Sequence, residues 1–180
     1  KNVALHLADR IEGLEDRDDH TVVRLSSGKQ IPADIVILAM GVRPETTLAR
    51  ACGLELGDRG GIKVNEFLQS SDEAIYAVGD AIEVTQFVGG HQTLIPLAGP
   101  ANRQGRIAAD NIAFGNTQAY RGTLGTSILK VFDLAAATTG MNEKTLIASG
   151  IDYRTSVTHG NSHAGYYPGA MPLTLKLLYS

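Results

Sequence analysis

A carboxylate follows an apolar segment near the middle of the chain. Residues 74–78 (Ala-Ile-Tyr-Ala-Val) are predicted to form a buried strand, and Gly79 and Asp80 come directly after it. In open α/β sheets, ligands bind just beyond the carboxyl ends of the strands. A glycine there lets the backbone approach a ligand closely, and a carboxylate accepts hydrogen bonds from ribose or ribityl hydroxyl groups. Taken alone, the pattern also fits a simple capped turn, so its surroundings decide between the two interpretations.

Small residues mark the start of a predicted helix farther along. Apolar side chains recur at helical spacing over residues 96–114, and Gly115 is suited to end that helix. Ala98 and Gly99 would let the helix N-terminus come close to a flat ligand. Its free N–H groups and the positive end of its dipole would stabilise negative charge on that ligand. Pro96 suits the first turn of this helix, and Pro100 suits a slightly later start equally well.

A third segment, residues 163–170 (His-Ala-Gly-Tyr-Tyr-Pro-Gly-Ala), contains adjacent phenols. The phenol of Tyr166 or Tyr167 could donate a hydrogen bond or supply a proton. Tyr-Tyr-Pro-Gly is equally a good turn with two packing aromatic side chains. The sequence does not choose between the two tyrosines.

The remaining reactive side chains do not form a recognisable site. Cys52 is the single cysteine and is expected to be inert, because it follows a short predicted helix in apolar surroundings. His159 and His163 have no third ligand nearby, so no metal site is predicted. The sequence contains no Gly-x-Gly-x-x-Gly, the turn that holds the phosphates of FAD or NAD.

The elements that position these residues change character along the chain. Residues 3–40 are predicted to be β-structure, with an apolar run at 35–40 that is typical of a strand buried on both faces of a parallel sheet. Residues 45–120 mix short helices and strands. Residues 123–180 are predicted to be an α+β unit with an antiparallel sheet. Its predicted elements are strands at 127–132, 134–139, 153–157 and 173–178, and a helix at 143–149 capped by Asn142.

Composition limits the function. The chain has 180 residues, 43% hydrophobic and 19% charged, which is ordinary for a globular protein. A net charge of −3 gives no basic surface for nucleic acid or anionic lipid. No apolar run approaches the ~20 residues that span a bilayer. A single cysteine fits a cytoplasmic location. Strand-like apolar segments stand near both ends, and such segments are normally paired or covered, so we interpret the chain as a fragment.

The ordered motifs resemble the flavoprotein pyridine nucleotide–disulfide oxidoreductases. The matching segments are residues 39–44 (Ala-Met-Gly-Val-Arg-Pro), 61–65, 69–72 and 75–80. The resemblance implies an α/β plus α+β fold: the end of a flavoprotein fold with two dinucleotide-binding domains, FAD and NAD(P), followed by an incomplete antiparallel-sheet dimerisation domain. The implied domains are the tail of the NAD(P)H-binding domain (1–44), the second segment of the FAD-binding domain (45–122) and the truncated start of the dimerisation domain (123–180).

The resemblance also implies roles for individual residues. Gly79 and Asp80 match the strand end whose aspartate holds the FAD ribityl chain. Leu97 and Ala98 match the helix start that faces the flavin's pyrimidine edge. Asn102 lies where some members have a substrate-facing histidine, which makes it a candidate substrate contact.

One branch of the family fits best. Residues 163–170, together with 125–126 and 140–144, look like the dimerisation domain of CoA-disulfide reductases and NADH-dependent persulfide reductases. In those homodimers a tyrosine of this loop reaches the partner's site, so Tyr166 and Tyr167 become the catalytic candidates.

The implied parent enzyme passes a hydride from NADH or NADPH to FAD. Electrons then go to an upstream cysteine that opens a CoA disulfide or persulfide, with coenzyme A as part of the substrate. The 180 residues lack that cysteine and are expected to be inactive in isolation. An NADH oxidase or peroxidase of the same fold stays open as an alternative, as does a non-enzymatic remnant that only dimerises or binds nucleotide.

Overall fold

The computed structural model describes residues 3–180. The chain divides into two units, Lys1–Val42 and Arg43–Ser180. Strands and helices are mixed, and none of the helices in the described residues is long and apolar enough to cross a membrane.

The first unit contains a three-stranded antiparallel sheet in the order β1-β2-β3. Its strands are β1 (Ile11–Asp16), β2 (Thr21–Leu25) and β3 (Gln30–Ala33). The central strand has the buried side chains, Val22, Val23 and Leu25, because it is covered by a neighbour on each side. Short turns connect these strands: the Arg17 N–H donates to the His20 carbonyl, and the Gly28 N–H donates to the Leu25 carbonyl.

The two other strands predicted in this unit are wrong for the described residues. Residues 35–40 and 3–7 are outside regular secondary structure, and their apolar side chains are largely exposed: Ile35 is 81% and Met40 82% accessible. A strand exists only when a second backbone completes its hydrogen bonds. No strand within residues 3–180 pairs with either segment, so an apolar pattern alone was not sufficient.

The second unit begins with α1 (Thr47–Ala51) and has one hydrophobic core. Leu68 and Ile82 are each 1% exposed, and α2 contributes Ile107 and Ala108 to the same core. The strands predicted at 61–64 and 74–78 are reduced to isolated bridges, including Ile62 with Ile82. A short hairpin follows, formed by β4 (Val84–Thr85) and β5 (Gln92–Thr93).

Helix α2 (Ala98–Phe114) confirms the predicted helix and ends at Gly115, whose φ of +79° is the left-handed conformation that favours glycine. Its buried face includes two amides, Gln104 and Asn111, at 2% and 1% exposure. Asn111 holds a neighbouring loop: Nδ2 donates to the carbonyls of Phe67 and Gln118, and Oδ1 accepts from the backbone of residues 117 and 118, all within 2.9–3.0 Å.

The last part of the chain confirms the four predicted strands, which form two separate two-stranded antiparallel sheets and not one common sheet. The antiparallel pairs are β6 (Ser127–Val131) with β7 (Leu134–Thr138), and β8 (Arg154–Asn161) with β9 (Pro172–Tyr179). Helix α3 (Glu143–Ala148) lies between them. Asn142 caps it as predicted, accepting a hydrogen bond from the Thr145 backbone N–H at 3.0 Å.

Candidate functional site

Asp80 lies in a single 3₁₀ turn formed by residues 79–81. The backbone is extended at Val78 and again at Ile82, so the turn is a sharp corner between two straight segments. Gly79 makes the corner with a φ of +79°. The Asp80 side chain is exposed, and its carboxylate accepts no hydrogen bond within residues 3–180. Both oxygens are therefore available to a ligand.

The Asp80 turn is attached to helix α2. The Gly79 N–H donates to Gln104 Oε1 at 2.7 Å. A Cβ built on Gly79 would lie 3.7 Å from the Ala101 Cβ, so backbone and helix are in close approach. The turn therefore lies against the first two turns of α2.

The N-terminus of α2 has backbone N–H groups without hydrogen-bond partners among the described residues. Leu97 is the N-cap residue, and no side chain caps the helix. The Ala101 N–H donates to the Leu97 carbonyl at 3.1 Å, and Pro100 has no N–H. The N–H groups of Ala98 and Gly99 have no acceptor within residues 3–180. A Cβ built on Gly99 would have open space around it, so the approach to these donors is unobstructed.

Together the two features combine an exposed carboxylate with a pair of free backbone donors, on elements that pack against each other. The carboxylate suits the hydroxyl groups of a bound molecule, and the helix start suits an acceptor edge or a developing negative charge. The structure thus brings Gly79, Asp80, Leu97 and Ala98 together on adjoining elements, as a binding role requires.

Asn102 lies one turn into α2 and is exposed. Its Nδ2 donates to the Ala98 carbonyl at 3.0 Å, which folds the side chain back along the helix. Its Oδ1 has no partner within residues 3–180 and remains available for a substrate donor.

The two tyrosines lie at the other end of the unit's sequence, in the loop between β8 and β9. Tyr166 and Tyr167 are 85% and 62% exposed, and their ring centroids are 5.0 Å apart. The Tyr167 N–H donates to the Ala164 carbonyl, which closes a turn. No hydrogen bond among the described residues connects this loop with the Asp80 turn. The tyrosine loop is thus not connected by hydrogen bonds to the other candidates within residues 3–180.

Sequence reasoning passed over Gln104, which the structure places in direct contact with the Asp80 turn. A signal for it exists. Gln104 falls in phase with Ala101, Ile107, Ala108 and Asn111 on one side of the helix. A polar residue at an apolar position of a helix needs a buried partner.

A separate cavity and the other reactive side chains in the described residues do not combine into a second candidate site. A cavity of about 360 Å³ is lined by residues that include Arg59, His91 and Lys144, and none of the predicted site residues lines it. No group of three or more His, Cys, Asp or Glu side chains in residues 3–180 is arranged to hold a metal ion. Cys52 is exposed at the end of α1.

The chain is similar to known proteins in sequence and in fold. The model of the family described as pyridine nucleotide-disulphide oxidoreductase matches residues 1–105. A curated relative, the NAD(P)H sulfur oxidoreductase (CoA-dependent) of Pyrococcus furiosus, is 36% identical over 98% of this chain. The chain spans only 39% of that relative's length.

Two solved structures are similar in fold. Reduced CoADR-RHD from Bacillus anthracis has a TM-score of 0.88 and 55% identity, covering 96% of this chain and 30% of that one. An NAD-dependent persulfide reductase from A. fulgidus has a TM-score of 0.88 and 39% identity, covering 95% of this chain and 31% of that one. These likenesses confirm the predicted fold class, a partial α/β plus α+β arrangement.

Proposed function

Because the chain belongs to the pyridine nucleotide-disulphide oxidoreductase family, we propose that it forms part of an FAD-dependent, NAD(P)H-linked reductase of CoA disulfide or persulfide. The observation that supports this most is the Asp80 turn packed against the uncapped start of α2. The names of the relatives, sulfur oxidoreductase (CoA-dependent) and persulfide reductase, indicate the substrate class. Since the chain spans 39% of the curated relative, the activity belongs to a longer protein.

The residues present fit FAD. The exposed Asp80 carboxylate would accept hydrogen bonds from the ribityl hydroxyl groups, and the Ala98 and Gly99 N–H groups would donate to the pyrimidine edge of the ring. Bound FAD supplies hydride acceptance from the nicotinamide and delivery of electrons to a disulfide. The helix start would stabilise the negative charge that reduction places on the pyrimidine edge. Asn102 would turn its free Oδ1 toward a substrate donor.

We assign residues 1–44 to the tail of the NAD(P)H-binding domain, 45–122 to the second FAD segment and 123–180 to the start of the dimerisation domain. In a homodimer the exposed Tyr166 or Tyr167 phenol would reach the partner's site and hydrogen-bond to a substrate thiolate or supply its proton. This role explains why both rings project from the hairpin and not into the core. The redox cysteine lies elsewhere in the longer protein, so the 180 residues alone are inactive. A cytoplasmic location is part of the same proposal.

Turnover by the full-length protein tests the proposal. With NADH or NADPH and CoA disulfide under anaerobic conditions, we expect two thiols to form for each nicotinamide oxidised. Nicotinamide oxidation that requires oxygen and yields no thiol would instead establish the NADH oxidase alternative. No nicotinamide oxidation with either acceptor would support a non-enzymatic protein.

A further inference from the structure

The Asp80 turn has little of its own to hold it in shape. The hydrogen bond that closes the 3₁₀ turn, from the Ile82 N–H to the Gly79 carbonyl, is long at 3.4 Å. Asp80 makes no side-chain hydrogen bond within residues 3–180. Gly79 is the residue type with the greatest conformational freedom. On its C-terminal side the turn is fixed at Ala81, whose carbonyl accepts from the Ile62 N–H at 2.8 Å. The remaining freedom of the Asp80 carboxylate therefore depends on what fixes the backbone at residue 79.

The hydrogen bond from the Gly79 N–H to Gln104 Oε1 fixes that backbone. At 2.7 Å it is much shorter than the bond that closes the turn, and Gln104 is 2% exposed. Gln104 Nε2 has no partner within residues 3–180, which makes this the one hydrogen bond that the side chain forms there. The amide is therefore dedicated to the Asp80 turn.

The bond also connects the two halves of the site. Gln104 lies on α2, whose first residues supply the free N–H groups of Ala98 and Gly99. Holding Gly79 to α2 fixes the separation between these donors and the Asp80 carboxylate. A ligand that must reach both at once is bound more tightly when that separation is preset.

We infer that Gln104 is a positioning residue for FAD: through Gly79 it sets the Asp80 carboxylate against the start of α2. The inference rests on the proposed function, since it presumes that FAD occupies this site. Gln104 acts on the ligand only through the backbone of the turn.

The chain provides a matched control in Asn111. Both amides are buried on α2, but Asn111 makes four hydrogen bonds to the loop that includes Gln118 and to Phe67, and none to the Asp80 turn. Replacing either amide by an apolar side chain removes buried hydrogen bonds, and Asn111→Leu removes more of them. If Gln104 affected FAD binding only by stabilising the fold, Asn111→Leu would weaken FAD binding at least as much as a Gln104 substitution does.

The test measures the FAD dissociation constant of full-length apoprotein by flavin fluorescence quenching, together with the thermal unfolding midpoint. For Gln104→Met we expect the dissociation constant to rise about tenfold, because the Asp80 turn must be ordered during binding. Gln104→Asn, one methylene shorter, should show the same loss. Asn111→Leu should lower the unfolding midpoint yet leave the dissociation constant within about twofold of wild type.

Each outcome is decisive. An unchanged FAD dissociation constant in Gln104→Met would overturn the positioning role. So would an equal loss of FAD affinity in the Gln104 and Asn111 variants. If Gln104→Met does not fold, the FAD dissociation constant of Gln104→Asn alone tests the positioning role. Failure of the wild-type apoprotein to bind FAD would count against the proposed function instead, since the comparison among variants would then have no binding to modulate.

Discussion

Gly79 brings the backbone of the Asp80 turn close to α2 in a conformation that other residues reach only with strain. Its φ is +79°, and a Cβ there would lie 3.7 Å from Ala101, which is ordinary contact. An added methyl group would therefore fit in space, and its cost would come from the left-handed backbone. Gly79 therefore determines both the backbone conformation of the turn and the placement of Asp80 beside α2.

We predict that Gly79→Ala lowers the free energy of unfolding by about 1–2 kcal/mol, the typical cost of a left-handed backbone at a residue with a Cβ. Gly105→Ala is the control, because Gly105 lies inside α2 with open space around it and has no positive φ. That change should raise the stability by roughly 0.5–1 kcal/mol through helix propensity. Denaturation followed by circular dichroism measures both. Equal changes in the free energy of unfolding for Gly79→Ala and Gly105→Ala would contradict the role assigned to the Gly79 backbone.

At the scale of elements, an ion pair connects α3 to β9. Lys176 Nζ lies 2.6 Å from Glu143 Oε2, and Tyr153 donates to the other carboxylate oxygen at 3.4 Å. The hydrogen bond from Lys176 lowers the pKa of Glu143 below its ordinary value, and the charge of Lys176 and the bond from Tyr153 act in the same direction.

This lowered pKa predicts a pH dependence. A carboxylate whose pKa is depressed by folding adds stability above its unfolded pKa, near 4.3, and loses that contribution as the pH falls through the folded pKa. Glu143→Gln should therefore be less stable than wild type at pH 7, and the difference should vanish as the solution is acidified below about pH 4. Urea denaturation across this range measures the difference.

Glu73→Gln is the control for this series, since Glu73 is exposed and makes no ion pair within residues 3–180. It should match wild type at neutral pH. A difference between wild type and Glu143→Gln that is constant with pH would show that the carboxylate contributes nothing through its charge.

The elements that could be predicted are those whose signals are local. The cap at Asn142, the apolar spacing of α2 and the hairpin turns each lie within a few residues of the structure that they specify. The apolar run at 35–40 failed because strand formation depends on a distant partner, which the pattern does not identify. The contact of Gln104 with Gly79 spans 25 positions and went unrecognised for the same reason.

At the scale of the whole molecule, large apolar side chains are exposed in both units. Exposed side chains include Ile37 in the first unit, and Phe132 in the β6–β7 turn and Leu175 in β9 in the second. The curated relative is much longer than this chain, which spans 39% of it. In the proposed longer protein, we expect the additional segments and a second subunit to pack on these surfaces.

The family resemblance could be recognised from the ordered motifs because each is a short run of defined residue types, which can be recognised whether or not the segment before it forms a strand. The substrate could not be obtained in that way. In the proposed reductase it depends on a redox cysteine and the groups around it, and the described residues contain no candidate for them. The names of the relatives supply the substrate class, and the roles of Asp80 and the tyrosines stay predictions.

Flavin content of the full-length protein tests the central claim most directly. Visible absorbance should show about one FAD per chain for wild type and for Asp58→Ala, a control at an exposed aspartate outside the site. Asp80→Ala should bind FAD about 10- to 100-fold more weakly, because hydrogen bonds to a charged group contribute roughly 1.5–3 kcal/mol. A colourless wild-type protein, or an Asp80→Ala variant that retains FAD as tightly as the control, would contradict the assignment of this turn and helix as a flavin site.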